Sequence, residues 1–288
     1  MKIQYIVAGG CVVLIALHLV SNAQPQANSR CAVSKTETFQ LNDSDAKKLI
    51  VNIGPDRANL RAGRERQGSI TVRFCASDDN RMRPMAADLV IEDEIAQLQL
   101  NHGGQSNRSS TSWFGRTRSS YSYFEIDGQV NAFTDLDISV GSGKADLFGF
   151  SNVNAVLGSG EIDIAGVPNE VRIQVGSGKA ELDNIGSLRV GSVGSGKIEV
   201  ERIRGDAEIG SIGSGKIELE RVDGGVTVGT IGSGSFQASR VRGNLSIGSV
   251  GSGSIRIDDV EGDFHLRSKG SGSVRHTNVR GKVTVPNR

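Results

Sequence analysis

Aromatic residues, proline and histidine are scarce in this sequence, and neither sign of charge dominates it. Aromatics make up 5% of the 288 residues, with one Trp, five Pro and four His. Few aromatics beside 38 glycines predict a thin core built from small, β-branched side chains. The formal net charge of +1 provides no global field that would recruit nucleic acid or an anionic membrane. We therefore expect no nucleic-acid partner.

Long apolar runs are also lacking, except near the N-terminus. Residues 6–20 form one such run after Lys2, and it is shorter than the roughly 20 residues that a transmembrane helix needs. Small side chains at Ser21 and Ala23 suit cleavage after Ala23. Residues 1–23 are therefore predicted to be a signal peptide, with an uncleaved anchor as the alternative. We expect no transmembrane segment in the mature chain.

Cysteine is rare, and its placement matters once the chain is exported. Cys11 lies in the signal peptide, whereas Cys31 and Cys75 remain in the mature chain as an even pair. An oxidising compartment favours their pairing. We predict a Cys31–Cys75 disulfide, with two buried free thiols as the alternative.

The strongest pattern is a repeat of Gly-Ser-Gly. The motif begins at residues 141, 158, 176, 194, 213, 232, 251 and 270. The spacing is 17, then 18 twice, then 19 four times. A fixed period near twenty residues is typical of a solenoid, in which each repeat stacks on its neighbours.

Residues 194–212 show what one repeat contains. Apolar residues alternate at Ile198 and Val200, the pattern breaks, and alternation resumes at Ala207 and Ile209. A period of two indicates strands, and the glycines at the breaks are expected to allow corners with positive φ. One repeat is thus two short strands and two corners.

Two positions of the repeat are apolar in every copy. The Ile198 column contains Ala145, Ile162, Ala180, Ile198, Ile217, Phe236, Ile255 and Val274. The Ile203 column contains Phe150, Val167, Ile185, Ile203, Val222, Val241, Val260 and Val279. Stacked coils with inward columns explain this pattern. The predicted fold class is all-β: a single-stranded β-solenoid (β-helix), right-handed by the crossover rule, with eight regular coils of 17–19 residues plus irregular N-terminal coils.

The segment before the repeats is less regular. Residues 136–288 form the repeat solenoid, and residues 24–135 are expected to continue it as irregular coils. Residues 101–120 are polar, rich in Gly, Ser and Arg, and predicted to be a mobile loop. The loop could act as a contact segment through Trp113, Phe114, Arg116 and Arg118, since aromatics and Arg dominate binding hot spots. The alternative is a flexible insertion whose aromatic side chains pack against the side of the solenoid.

No catalytic or metal-binding arrangement is evident. The mature chain has only His102, His265 and His276, and none has a suitable Ser and Asp partner in the sequence. The Gly-Ser-Gly turns precede strands, which argues against a phosphate-binding loop. We therefore predict a protein that is not an enzyme, with no catalytic residue, no cofactor and no metal.

One outward column leaves an enzymatic alternative open. The Glu199 column contains Asp146, Asp163, Glu181, Glu199, Glu218, Gln237, Arg256 and Arg275. Its acidic part could form paired carboxylates of a carbohydrate-active β-helix enzyme. A lysine two residues before most of these acids favours a charge-compensated, solvated face, and the corners are tight, whereas such enzymes form a cleft from long loops. A face without a cleft would remove the enzymatic alternative. Because the column is acidic at one end and basic at the other, two faces laid antiparallel could also form a weak homodimer.

The repeats resemble a known group of exported proteins. The motifs are Cys31 with residues 73–77, the sequence at 135–143, and the recurring Gly-Ser-Gly-Lys-Ile-Glu-Leu. They resemble the bacterial "putative adhesin" families of unknown function, including the head GIN domain. The resemblance implies a β-helix in the cell envelope, in the periplasm or at the cell surface. It implies no catalytic residues, and the partner would be an envelope protein or polysaccharide.

Overall fold

The structure, a computed structural model, describes residues 31–42, 46–63, 67–104, 108–111, 117–131 and 134–286. The predicted signal peptide, with Cys11, lies outside the described residues. The elements in chain order are β1 (Val33–Asn42), β2 (Lys48–Ile53), β3 (Arg57–Gly63), β4 (Gln67–Ala76), α1 (Asp79–Met82), β5 (Ala86–Glu92), β6 (Ile95–Asn101), β7 (Arg108–Thr111), β8 (Thr117–Ser120), β9 (Ser122–Asn131), β10 (Asp135–Val140), β11 (Lys144–Phe148), β12 (Val153–Leu157), β13 (Glu161–Ala165), β14 (Glu170–Val175), β15 (Lys179–Asp183), β16 (Ser187–Val193), β17 (Lys197–Val200), β18 (Ala207–Ile212), β19 (Lys216–Val222), β20 (Val226–Ile231), β21 (Ser235–Val241), β22 (Leu245–Val250), β23 (Ser254–Val260), β24 (Phe264–Lys269), β25 (Ser273–Val279) and β26 (Val283–Thr284).

The strands form two long sheets whose members are mostly parallel. Sheet A has twelve strands in the order β1-β4-β9-β3-β11-β13-β15-β17-β19-β21-β23-β25. Sheet B has twelve in the order β26-β24-β22-β20-β18-β16-β14-β12-β10-β2-β6-β5. From β10 to β25 each coil gives one strand to each sheet. This confirms the all-β solenoid and its eight regular coils.

The predicted register of the inward columns is also confirmed. Ile198 pairs with Ala180 in the preceding coil and with Ile217 in the next. Ile203 bridges Ile185 and Val222 in the same way. Side chains of both columns are buried through most of the stack, and the two columns become half-exposed only in the last coil. Most of the side chains in this core are Val, Ile, Leu and Ala.

The N-terminal strands extend both sheets beyond the repeats. β2 and β3 pair in parallel with β10 and β11, so they form one more coil. β6 and β9 add a further parallel strand to each sheet, whereas β1, β4 and β5 run antiparallel to their neighbours. Strands β7 and β8 pair as a separate antiparallel hairpin inside the segment predicted to be a loop. Trp113, Phe114 and Arg116 lie outside the described residues, and Arg118 lies in β8.

The disulfide prediction is confirmed. Cys31 and Cys75 are bonded, and their Cα atoms are 5.1 Å apart. Cys75 is buried near the end of β4, and the bond ties the residues before β1 to that strand. Within the described part of the chain, no helix is long and apolar enough to cross a membrane.

The corner glycines have a different role from the predicted one. Positive φ occurs at non-glycine residues directly before the Ile203 column, for example at Asn184 and Arg221, and not at Gly-Ser-Gly. At Gly196 a Cβ would lie 2.7 Å from Val175 Cγ1 and closer still to the Gly178 carbonyl oxygen. The motif therefore uses glycine because successive corners stack too closely to accommodate a side chain.

Candidate functional site

A shallow groove of about 780 Å³ runs along the outward face of sheet A. Each coil contributes two outward side chains to it, such as Glu218 and Glu220 in β19. Its charged and polar lining residues are Asp163, Glu181, Asp183, Glu199, Glu201, Glu218, Glu220, Gln237, Ser239, Arg256 and Asp258. A carbohydrate-active enzyme would need a groove on this face, so the structure does not remove that alternative. Strands such as β19 continue through the break in the repeat at a residue with positive φ, so the sheet bends there instead of ending at a sharp corner.

A ladder of lysines compensates the acids of the Glu199 column. Lys197 contacts Glu199 of its own coil at 2.5 Å and Glu218 of the next coil at 3.0 Å. Lys179 binds Glu181 and also reaches Glu199 at 3.3 Å. Lysine and acid are two residues apart in a strand and so lie on one face, and parallel stacking brings the next acid within reach. The charge compensation expected from the sequence is present.

These contacts also shift the pKa values of the ladder. The hydrogen bonds that Lys197 donates to Glu199 and Glu218 raise the pKa of Lys197. Burial acts to raise the pKa of Glu218, but hydrogen bonds from Lys216 and Lys197 hold it below its ordinary value. Each shift favours the charged form, so Lys197 and Glu218 form a fixed pair of opposite charges along the groove.

The first regular coil carries a tighter cluster of carboxylates. Asp146 stacks on Asp163 of the next coil, and Lys144 Nζ lies 2.8 Å from Asp163 and 3.3 Å from Glu161. Burial, followed by the hydrogen bond with Asp163, raises the pKa of Asp146. Carboxylate oxygens of Glu161, Asp163 and Glu181 are close enough to hold a cation, but the ammonium of Lys144 already contacts Glu161 and Asp163, and that of Lys179 contacts Glu181.

The far end of the Glu199 column is basic, as the register predicted. Glu218 pairs with Gln237, which pairs with Arg256 and then Arg275. The groove is thus acidic along most of its length and changes sign at Arg256.

The three histidines do not come together as a site. His265 lies in β24 of sheet B and His276 in β25 of sheet A, where its ring centroid lies 5.9 Å from that of Phe264. His102 Nε2 lies 2.8 Å from Oδ1 of Asp56, which is fully buried. The same oxygen accepts the backbone N–H of Phe124 at 2.8 Å.

Sequence reasoning did not identify the contacts of Asp56. Asp56 Oδ2 accepts the N–H of Gly54 at 2.9 Å within its own turn, whereas His102 and Phe124 tie remote parts of the chain to the coil of β2 and β3. His102 and Phe124 are far from Asp56 in the chain, and no local pattern connects them to it. This arrangement holds the N-terminal strands together.

Comparison with known proteins supports the fold. No family model matches the chain, and no curated protein is significantly similar to it. A crystal structure named "putative lipid binding protein" from Parabacteroides distasonis is 17% identical, with a TM-score of 0.51 over 84% of this chain and 96% of that one. This similarity shows a shared fold.

Two further structures carry adhesin names. A "putative adhesin" from Parabacteroides distasonis is 14% identical with a TM-score of 0.45, and one from Bacteroides fragilis is 16% identical with a TM-score of 0.46. In both cases the match covers 84% of this chain and 97% of the other.

Proposed function

We propose that the mature protein is an exported, non-catalytic binding module of the bacterial cell envelope, in the periplasm or at the cell surface. Its ligand would be an extended polysaccharide lying in the groove of sheet A. The observation that carries this proposal is the groove itself, a rigid row of polar side chains repeated from coil to coil. Two crystal structures that match 84% of this chain are named putative adhesins, and these names support a binding role.

The groove suits a polymer for a geometric reason. Its floor repeats the same type of side chain once per coil, at the spacing of about 4.8 Å between neighbouring strands. Paired charges such as Lys197 with Glu199 are held in place before any ligand arrives. A chain with repeated hydroxyl groups could form hydrogen bonds to several coils without ordering these side chains. The interior of the solenoid is filled by its own apolar columns, so a ligand binds outside.

A binding assay with matched variants tests this function. The wild type is incubated with polysaccharide fractions purified from bacterial envelopes, and affinity is measured by titration. Glu199→Gln with Glu218→Gln removes two charged acceptors of the groove and should weaken binding at least about tenfold, because hydrogen bonds to charged groups contribute about 1.5–3 kcal/mol.

The control variant is Glu208→Gln, which makes the same chemical change on sheet B, where Glu208 pairs with Arg189 at 2.8 Å. It should bind like the wild type. Equal losses in both variants would rule out the groove as the ligand site. If the protein binds an envelope protein and no polysaccharide, the proposed ligand would be wrong and a protein would take its place.

A second function has one specific observation in its favour. Asp146 stacks on Asp163 of the next coil, and burial raises the pKa of Asp146, as burial does for the general acid in the carboxyl pair of a glycoside hydrolase. An assay for new reducing ends, run with Asp146→Asn as control, tests it. Release of sugar by the wild type and its loss in the variant would replace the binding module by a carbohydrate-active enzyme.

A further inference from the structure

The C-terminal end of the solenoid is basic, and the β5–β6 hairpin at the other end of sheet B is acidic. Residues 264–286, which form the C-terminal end, contain five Lys and Arg and no Asp or Glu. The five are Arg267, Lys269, Arg275, Arg280 and Lys282. The hairpin of β5 and β6, at the other end of sheet B, has the reverse composition. It contains Asp88, Glu92, Asp93 and Glu94, with no Lys or Arg between residues 86 and 101.

Most of these charges lack the compensation found along the groove. Among the described residues, Arg280 lies 3.5 Å from Glu261, and Glu94 lies 2.7 Å from Lys47. Within the same part of the chain, none of the other charges at the two ends forms an ion pair. Ions of one sign are therefore concentrated at each end, and they are available to a partner of opposite charge.

The strand edges at the two ends match each other in number and direction. The C-terminal end presents β25 of sheet A and β26 of sheet B, and the N-terminal end presents β1 and β5. Both sheets have twelve strands. A second copy displaced by about twelve strand spacings, roughly 58 Å along the axis, would therefore place β25 beside β1 and β26 beside β5 at the same time.

The direction of the strands is compatible with this displacement. β1 runs antiparallel to β4, which runs antiparallel to β9, and β9 runs parallel to β3 and the rest of sheet A. β1 is therefore parallel to β25. β5 runs antiparallel to β6 and hence to β26. Both kinds of pairing form complete hydrogen-bond ladders.

Both ends also leave apolar side chains incompletely covered. Val274, Val279 and Val285 pack only partly against the core at the C-terminal end. Leu89, Ile91 and Leu100 do so at the hairpin of β5 and β6. Contact between the ends would bury residues of both groups, while within one copy they stay half-exposed.

We propose that copies of this chain associate head to tail, the basic C-terminal end of one copy docking on the acidic β5–β6 end of the next. Such a contact is heterologous, so each copy keeps one free end of each kind and the assembly grows as a row. Opposite charges bring unlike ends together. They disfavour both symmetric contacts, in which a basic end would meet a basic end or an acidic end an acidic end. Strand pairing then extends both sheets across the junction.

The first experiment is sedimentation of the full exported chain at low salt over increasing concentration. We expect the average mass to rise past that of a dimer, and we expect added salt to reverse the rise because screening weakens exposed charges. A chain that remains monomeric at every concentration would overturn the proposal.

Two charge-reversed variants then test the polarity of the contact. The basic-end variant is Arg275→Glu with Lys282→Glu, and the acidic-end variant is Asp88→Lys with Glu92→Lys. Each should lower the association constant at least tenfold when tested by itself. Mixing the two should restore association, since the intact acidic end of one variant meets the intact basic end of the other and the two reversed ends are again opposite in charge.

Two controls separate this contact from other kinds of association. Glu208→Lys reverses a charge on the side of sheet B and should associate like the wild type. All variants should keep the wild-type melting temperature within a few degrees, which shows that folding is intact. Association that stops at a dimer and survives both end variants would overturn the proposal and favour antiparallel pairing of the groove faces.

Discussion

Replacing Gly196 by alanine tests why the repeat needs its second glycine. The new Cβ would lie 2.7 Å from Val175 Cγ1, whereas carbon atoms in contact are ordinarily about 3.5–4.0 Å apart. The corner must therefore move by about 1 Å. That movement would disrupt the bonds from Lys197 N to Gly178 O at 2.9 Å and from Gly196 N to Gly176 O at 3.0 Å.

The expected loss of stability follows from these contacts. Overpacking costs about 1–3 kcal/mol, and each lost hydrogen bond costs about 1 kcal/mol. Alanine also restricts the unfolded chain, which offsets about 0.4–1 kcal/mol. We expect Gly196→Ala to reduce the free energy of unfolding by about 2–4.5 kcal/mol.

Urea denaturation with the disulfide intact measures this loss. The matched control is Ser195→Ala, because Ser195 is exposed at the same corner and should change stability by less than about 0.5 kcal/mol. Gly166→Asn is a second control. Gly166 has φ of 69°, and Asn184 adopts positive φ at the same place in the next coil, so asparagine should be tolerated there. Equal midpoints for Gly196→Ala and Ser195→Ala would refute the close-stacking explanation.

Four further predictions concern the core, the disulfide, the acidic cluster and export. Ile198→Asp should cost several kcal/mol by burying an unpaired carboxylate, whereas Glu199→Ala should cost less than about 1 kcal/mol; equal melting shifts would contradict the assigned register. Cys75→Ser should reduce stability by about 3–4 kcal/mol, and alkylation of the native wild type should detect no free thiol in the mature chain. Because the pKa of Asp146 is raised in the folded state, stability should fall as pH rises through the interval just above 3.8. Asp146→Asn should remove that dependence and slightly raise the melting temperature at neutral pH, and a lower melting temperature would argue against repulsion from Asp163. Mass spectrometry of the exported protein should find an N-terminus that follows Ala23, and retention of residues 1–23 would favour an uncleaved anchor.

The sequence by itself determined the repeating architecture. A constant residue class at each position of a 17–19-residue period is sufficient to predict stacked coils, because parallel strands in register bring equivalent residues together. It also determined which side chains point inward, as at Ile198, because alternation along a strand is a local property. The disulfide could be predicted because the mature chain has just two cysteines.

The tertiary structure decided the features that depend on distances between coils. The need for glycine at Gly196 comes from the carbonyl of the preceding coil, which no pattern within one repeat contains. The groove depends on how far sheet A bends at residues such as Arg221, and the strand pattern leaves that angle open. The contacts of Asp56 with His102 and Phe124 join residues 46 and 68 positions apart. Local side-chain periodicity specifies strands and their faces, but contacts between remote residues form only when the coils stack, and those contacts shape the candidate site and the two ends.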